Sequence, residues 1–164
     1  MNQQLLKEYL EYDPETGVFT WLKDSGARKV KGTLAGVVHN GYLDIQIKCK
    51  KYKAHRLAFL FMEGEFPQDQ VDHINHVKND NRWSNLRHSN YSENAKNHPM
   101  QKNNTTGIVG VKWDKRKSLW RADIVVNGIN IYLGRRKDKF LTICLRKSAE
   151  LKYGFHANHG IGFA

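Results

Sequence analysis

The run from Val71 to Asn97 (VDHINHVKNDNRWSNLRHSNYSENAKN) concentrates Asp, His and Asn in the middle of a 164-residue chain. It is too polar for a core element, so it reads as a loop or a site. Asp72 is a hard oxygen ligand suited to Mg²⁺ or Mn²⁺. His73 can accept a proton at neutral pH, where an unperturbed imidazole is largely neutral. Asn85 carries both a donor and an acceptor, so it can pin a loop and orient His73. Asn94 can add an amide oxygen as a second ligand. Phosphodiester hydrolysis asks for this set: a divalent cation on the phosphate and leaving oxygen, a base for water, and a group that holds the base. Any one of these residues alone reads as part of an Asn-rich surface loop. The spaced set points to a site.

Neighbouring side chains on a strand point to opposite faces. Asp72 and His73 can therefore serve one phosphate only near a strand end. The pattern predicts a strand around Gln70–His73, a long loop, a strand around Asn85–His88 and a helix from about Tyr91 to Asn97. Upstream, Asp13-Pro14-Glu15-Thr16-Gly17 is a turn before a short strand, Val18–Trp21. A basic, Gly-containing loop runs from Lys23 to Gly32. His39-Asn40-Gly41 signals a hairpin between 36–38 and 42–47. Leu43, Ile45, Ile47 and Cys49 are expected on one face of its second strand. Ala54–Glu63 has helical apolar spacing and stops at Gly64 and Pro67.

Lys plus Arg total 27 against 16 Asp plus Glu, a formal net charge of +11. The excess favours a polyanionic partner. It is uneven: residues 1–98 hold 14 basic and 12 acidic residues, and residues 99–164 hold 13 and 4. Cys49 and Cys144 form no CxxC pair and are expected to be reduced, buried thiols. No apolar run reaches membrane length, and the polar start MNQQLLKEYLEYDPETG is not a signal peptide, so a cytoplasmic protein with no membrane partner is expected.

Asp72-His73, then Asn85-Leu86, then Ser92-Glu93-Asn94 resembles the HNH endonucleases with the ββα-metal fold, in their phage and intron-homing branch. Asn79-Asp80-Asn81-Arg82, Ala54-His55-Arg56-Leu57-Ala58, Tyr12 to Gly17 and Gly41-Tyr42 fit the same pattern, so the resemblance spans roughly residues 10–97. It implies that Asp72 and Asn94 bind one divalent metal, Mg²⁺ or Mn²⁺, that His73 is the general base, and that Asn85 is structural. Arg82 and Arg87 are expected phosphate contacts. His76 stands where the family usually has Gly. If φ is positive there, His76 costs ~1 kcal/mol or more, unless it adds a metal or phosphate contact. His98, four residues after Asn94, is a possible metal helper, although Pro99 biases it away from helix.

Residues 107–140 (GIVGVKWDKRKSLWRADIVVNGINIYLGRRKDKF) mix cations with aromatics. Three strands are expected, at 110–113, 119–126 and 129–134, with Asn127-Gly128 as a tight turn. A helix follows from about Phe140 to Lys152, with Phe140, Ile143, Cys144, Lys147 and Leu151 on one stripe. Gly110-Val111-Lys112-Trp113, Trp120-Arg121-Ala122 and Tyr132-Leu133-Gly134 resemble an AP2 domain, a three-stranded sheet plus helix. The helix lacks the family's acidic pair near its start. A twisted sheet face carrying this mix can enter the major groove, so DNA contact is expected through Lys112, Trp113, Lys115, Arg116, Trp120, Arg121, Arg135 and Arg136. At least one of the two Trp is expected in the core. His156 and His159 lack the further ligands that zinc needs.

The expected fold is α+β: a nuclease domain at 1–98, a linker at 99–106, an AP2-like domain at 107–155 and a tail at 156–164. The expected function is metal-dependent cleavage of double-stranded DNA by a phage-encoded or homing-type nuclease, in the host cytoplasm if phage-encoded. A non-catalytic DNA-binding regulator on the same folds, or an RNA-binding module, would share the charge pattern.

Overall fold

The computed structural model describes residues 1–161 except 25, 27 and 28. Part of the predicted basic loop at 23–32 and the last three residues of the predicted tail therefore lie outside the described residues. The chain forms two compact units, Met1–Asn90 and Tyr91–Ala164.

In the first unit, helix α1 (Gln3–Tyr9) is capped by the Asn2 side chain, which accepts from the Leu5 N–H at 2.9 Å. It runs into β1 (Leu10–Asp13), which pairs antiparallel with β2 (Val18–Trp21). A second sheet has the order β3 (Val37–His39), β4 (Tyr42–Ile47), β5 (Lys50–Lys53). Asn40 and Gly41 both have positive φ, 51° and 81°, as a two-residue hairpin turn demands. The next turn, Lys48-Cys49, also has positive φ at both positions. That turn ends the strand at Ile47 and turns Cys49 outward, so the thiol expected in the core is exposed. Helix α2 (Ala54–Glu63) buries Leu57, Ala58, Phe59 and Leu60 and ends at Gly64 in the left-handed conformation. It packs on α1, β4 and β5. An antiparallel pair, β6 (Gln70–His73) and β7 (Leu86–Ser89), completes the unit, with one turn of 3₁₀ helix at Trp83–Asn85 between them.

The second unit begins with α3 (Tyr91–Lys96). The Lys96 carbonyl accepts from the His156 N–H and the His98 carbonyl from the Gly160 N–H, so this segment is tied to the C-terminal residues. A three-stranded antiparallel sheet has β9 (Leu119–Val126) between β8 (Val111–Asp114) and β10 (Ile129–Arg136). Asn127 and Gly128 supply the positive φ of the tight turn.

Helix α4 (Lys139–Lys152), capped by Asp138, covers one face of this sheet. Its buried side is Thr142, Arg146, Ala149 and Glu150, not the expected stripe of Phe140, Ile143, Cys144, Lys147 and Leu151. Phe140 and Leu151 are 70% and 83% exposed, and Cys144 is exposed as well. The sheet face beneath is built of Val111, Ala122 and Ile124. Arg146 reaches through the packed face and donates to the Asp123 carbonyl on β9. Neither Trp113 nor Trp120 is a core residue. They pair at the turn end of β8 and β9, where Trp113 is 44% exposed and Trp120 half-buried.

Candidate active site

The β6–β7 ladder sets Asp72 opposite Arg87 and His73 opposite Leu86. Asp72 and His73 are both buried, at the end of β6. The Arg87 guanidinium donates twice to Asp72 Oδ2, from Nε at 3.0 Å and from Nη2 at 2.6 Å. The His73 ring lies edge-on to His55, with centroids 5.0 Å apart, and 6.1 Å from the Tyr42 ring. Burial pushes the His73 imidazole below its ordinary value, and the Asn81 side chain and the Asp72 charge oppose that push. His73 is therefore neutral at pH 7, as a proton acceptor must be.

Asn85 holds the intervening loop as its residue type suggests. Its Oδ1 accepts from the Asn75 N–H at 3.0 Å, and its Nδ2 donates to the Asp80 carbonyl at 2.8 Å. Asn75 Nδ2 donates to Asp80 Oδ2 at 2.6 Å, and Arg82 donates to both Asp80 oxygens. The Arg82 bonds hold the Asp80 carboxyl below the usual carboxylate range. His76 has φ 65°, so this position does take the left-handed conformation. The β1–β2 turn braces the loop from behind. Tyr12 Oη donates to the Asn81 carbonyl at 2.6 Å, and the Trp83 N–H donates to the Pro14 carbonyl at 2.9 Å. Gly17 has φ +74°, and a Cβ there would lie 2.4 Å from the Arg82 nitrogen.

Asn94 lies on α3, in the second unit, and is half-buried. Helix α3 stops at Lys96, before His98, whose Nδ1 lies 2.9 Å from the Pro99 carbonyl. Among the described residues no three His, Cys, Asp or Glu side chains gather to cage a metal ion. In the first unit the hard oxygen donor of the predicted pair is the Asp72 carboxylate. That suits Mg²⁺ or Mn²⁺, which keep waters and share substrate phosphate oxygens, better than it suits zinc. His159 is used otherwise: its Nε2 lies 3.1 Å from Arg146 Nη2.

On the open face of the second unit's sheet, Lys112, Arg121 and Arg135 stand in one row across β8, β9 and β10. Asp123 accepts from Arg121 at 2.9 and 2.7 Å and lies 3.4 Å from Lys112 Nζ. Asp114 pairs with Arg135 at 3.0 Å. The Arg121 and Arg135 guanidinium groups lie 5.2 and 5.3 Å from the centre of the Tyr132 ring. Lys115 and Arg116 sit exposed in the β8–β9 turn, and Arg136 is exposed at the end of β10. Trp113 and Trp120 meet edge-to-face at 5.3 Å, and Lys139 Nζ lies over Trp120 at 5.1 Å.

The β6–loop–β7 hairpin brings the buried Asp72 and His73 of the spaced set together with Asn85, which pins the loop. A family model described as HNH endonuclease matches residues 52–96. Protein 3.8 of Escherichia phage T7 is 32% identical over 81 residues, which are 47% of this chain and 67% of that protein. No solved structure matches the chain. The chain belongs to the HNH nuclease family and is related to a phage protein. Sequence reasoning gave no role to three residues at this site: His55, Tyr42 and Lys78. A lone His on the apolar face of α2 was the available signal for His55.

Proposed function

We propose that the chain is a metal-dependent endonuclease that hydrolyses phosphodiester bonds of double-stranded DNA, of the phage-encoded or homing type. The observation that carries this reading is a buried, neutral His73 beside the Asp72 carboxylate, at the end of a hairpin whose loop Asn85 fastens. His73 takes the proton from the attacking water. Asn85 keeps the loop, and with it His73, in register. A divalent cation, Mg²⁺ or Mn²⁺, would be held by Asp72, with Asn94 as the second ligand on the strength of the family resemblance. When bound, it supplies positive charge for the phosphate and the leaving oxygen.

The second part of the reading gives residues 107–155 the role of an AP2-like DNA-binding module, following a nuclease domain at 1–98 and a linker at 99–106. The row Lys112, Arg121 and Arg135, with Lys115, Arg116 and Arg136 near it, fits contact with DNA. Tyr132 lies between the Arg121 and Arg135 guanidinium groups of that row. Trp113 and Trp120 lie on the helix side of the sheet, the face opposite that row, and would meet DNA from the β8–β9 turn end.

The test is nicking of supercoiled plasmid with Mg²⁺ or Mn²⁺, comparing the parent with His73→Ala. Nicking by the parent alone is expected. Equal nicking by both removes His73 as the base. Binding of duplex without cleavage by either leaves a DNA-binding regulator, and a preference for RNA leaves an RNA-binding module.

A further inference from the structure

The first unit carries little net charge, yet a nuclease site must hold a phosphate against its base. The two arginines that the sequence marks for that task here are committed elsewhere. Arg87 donates twice to Asp72, and Arg82 donates to both oxygens of Asp80. Arg56 donates to the backbone carbonyls of Pro67 and Asp69. Lys53 lies 2.7 Å from Asp44.

Lys78 is different. Its ammonium lies 4.9 Å from the centre of the Tyr42 ring, and that ring is a neighbour of both His73 and His55. Its charge is felt at His73. Gly41, at the tip of the β3–β4 hairpin, lies beside the Lys78 stem, at a distance where a Cβ would make ordinary van der Waals contact, 3.5 Å. The loop that carries Lys78 is fastened on both sides of it, by Asn75 and by Asp80. Among the described residues no carboxylate pairs with it. An ammonium on an aromatic face has three N–H donors, more than the ring can take, so it can also bind an anion.

We propose that Lys78, seated on Tyr42 beside His73, contacts a non-bridging phosphate oxygen of the DNA at the cleavage site. This rests on the nuclease reading for its place in the reaction, but not for the contact itself. Three full-length proteins test it: the parent, Lys78→Met and Lys78→Arg. Binding of a fluorescent duplex is followed against salt in EDTA, and nicking is followed with Mg²⁺ or Mn²⁺. Loss of one phosphate contact lowers the slope of log affinity on log salt by about 0.9. Lys78→Met is expected to show that drop and to nick at least 10-fold more slowly, with an unchanged melting temperature. Lys78→Arg is expected to keep the parent's slope. An unchanged slope in Lys78→Met overturns the proposal. So does a lowered slope in Lys78→Arg equal to that in Lys78→Met, which would mark Lys78 as a prop for the loop. If the parent binds duplex but never nicks, the nuclease reading fails, and the slope alone still decides the contact.

Discussion

The His55 ring meets the His73 ring edge-on, with centroids 5.0 Å apart and planes at 87°. Both are buried, and His55 Nδ1 has no hydrogen-bond partner among the described residues. Burial first, and the nearby His73 second, push the His55 imidazole down to about 3. Two facing imidazoles in one pocket cannot both carry a proton cheaply, so His55 helps to keep the pair neutral.

That depression makes the fold acid-sensitive. Between pH 6.5 and about 3 the unfolded chain binds a proton at His55 and the folded chain does not. Stability therefore falls as pH falls through that window, by about 1.4 kcal/mol per pH unit for each such group. His159, pushed down to about 4 by burial, adds to the loss in the same direction. Urea unfolding at pH 7 and pH 4.5 should show the parent losing stability and His55→Phe losing less, by about 1 kcal/mol or more. Equal losses would place the acid sensitivity elsewhere.

Asn85 uses its amide at both ends, accepting from Asn75 and donating to Asp80. Asn85→Asp keeps the acceptor but sets a carboxylate against the Asp80 carbonyl. It should cost about 1–3 kcal/mol in chemical unfolding and reduce nicking along with it. Stability and nicking equal to the parent's would mean that the loop holds without this residue.

His76 occupies a left-handed position where glycine is at ease, with φ 65°. His76→Gly should raise stability by about 0.5–1 kcal/mol, the relief of strain less the added freedom of the unfolded chain. Nicking should be retained. Loss of nicking in a stabilised variant would instead give the His76 side chain a contact with DNA or metal.

Much of this site was legible because chemistry and local geometry coincide in the chain. Asn40-Gly41 and Asn127-Gly128 announced their turns through the positive φ that few other pairs adopt. Asp72, His73 and Asn85 were legible through spacing, since a strand end, a loop and its pin follow one another in sequence. Pairing between elements was not. Nothing local says that Arg87 will face Asp72 across a ladder or that Lys78 will lie on Tyr42, 36 residues earlier. Helix α4 misled for a related reason. Its buried face contains Thr142, Arg146 and Glu150, so apolar periodicity chose the wrong rotation.

Gly17 is where the β1–β2 turn touches the loop before Asn85. A Cβ at this position would lie 2.4 Å from the Arg82 nitrogen and 2.5 Å from the Asn81 carbonyl carbon, and the backbone is left-handed as well. Both contacts are with main chain, so neither can swing aside. Gly17→Ala should cost about 2 kcal/mol or more through strain and overpacking together. Nicking should fall with it, because Asn81 also touches His73. A melting temperature equal to the parent's would show that the turn can retreat from the loop.

Arg146 makes the corresponding test of the second unit. It is 2% exposed, and its guanidinium donates to Glu150 Oε1 at 2.9 Å and to the Asp123 carbonyl at 2.9 Å, with His159 Nε2 at 3.1 Å. It thus joins α4, the central strand β9 and the C-terminal segment. Removing one partner of a buried ion pair costs about 3–5 kcal/mol when the other is stranded. Here Lys147 still holds Glu150 Oε2 at 2.7 Å, so Arg146→Met should fall near the lower end of that range. The Asp123 carbonyl and His159 would each lose a donor, and the β8–β10 face would lose the helix behind it. Duplex binding by the variant should weaken and its melting temperature should drop. Binding undiminished in a protein so destabilised would show that the row Lys112, Arg121 and Arg135 does not depend on α4 for its shape.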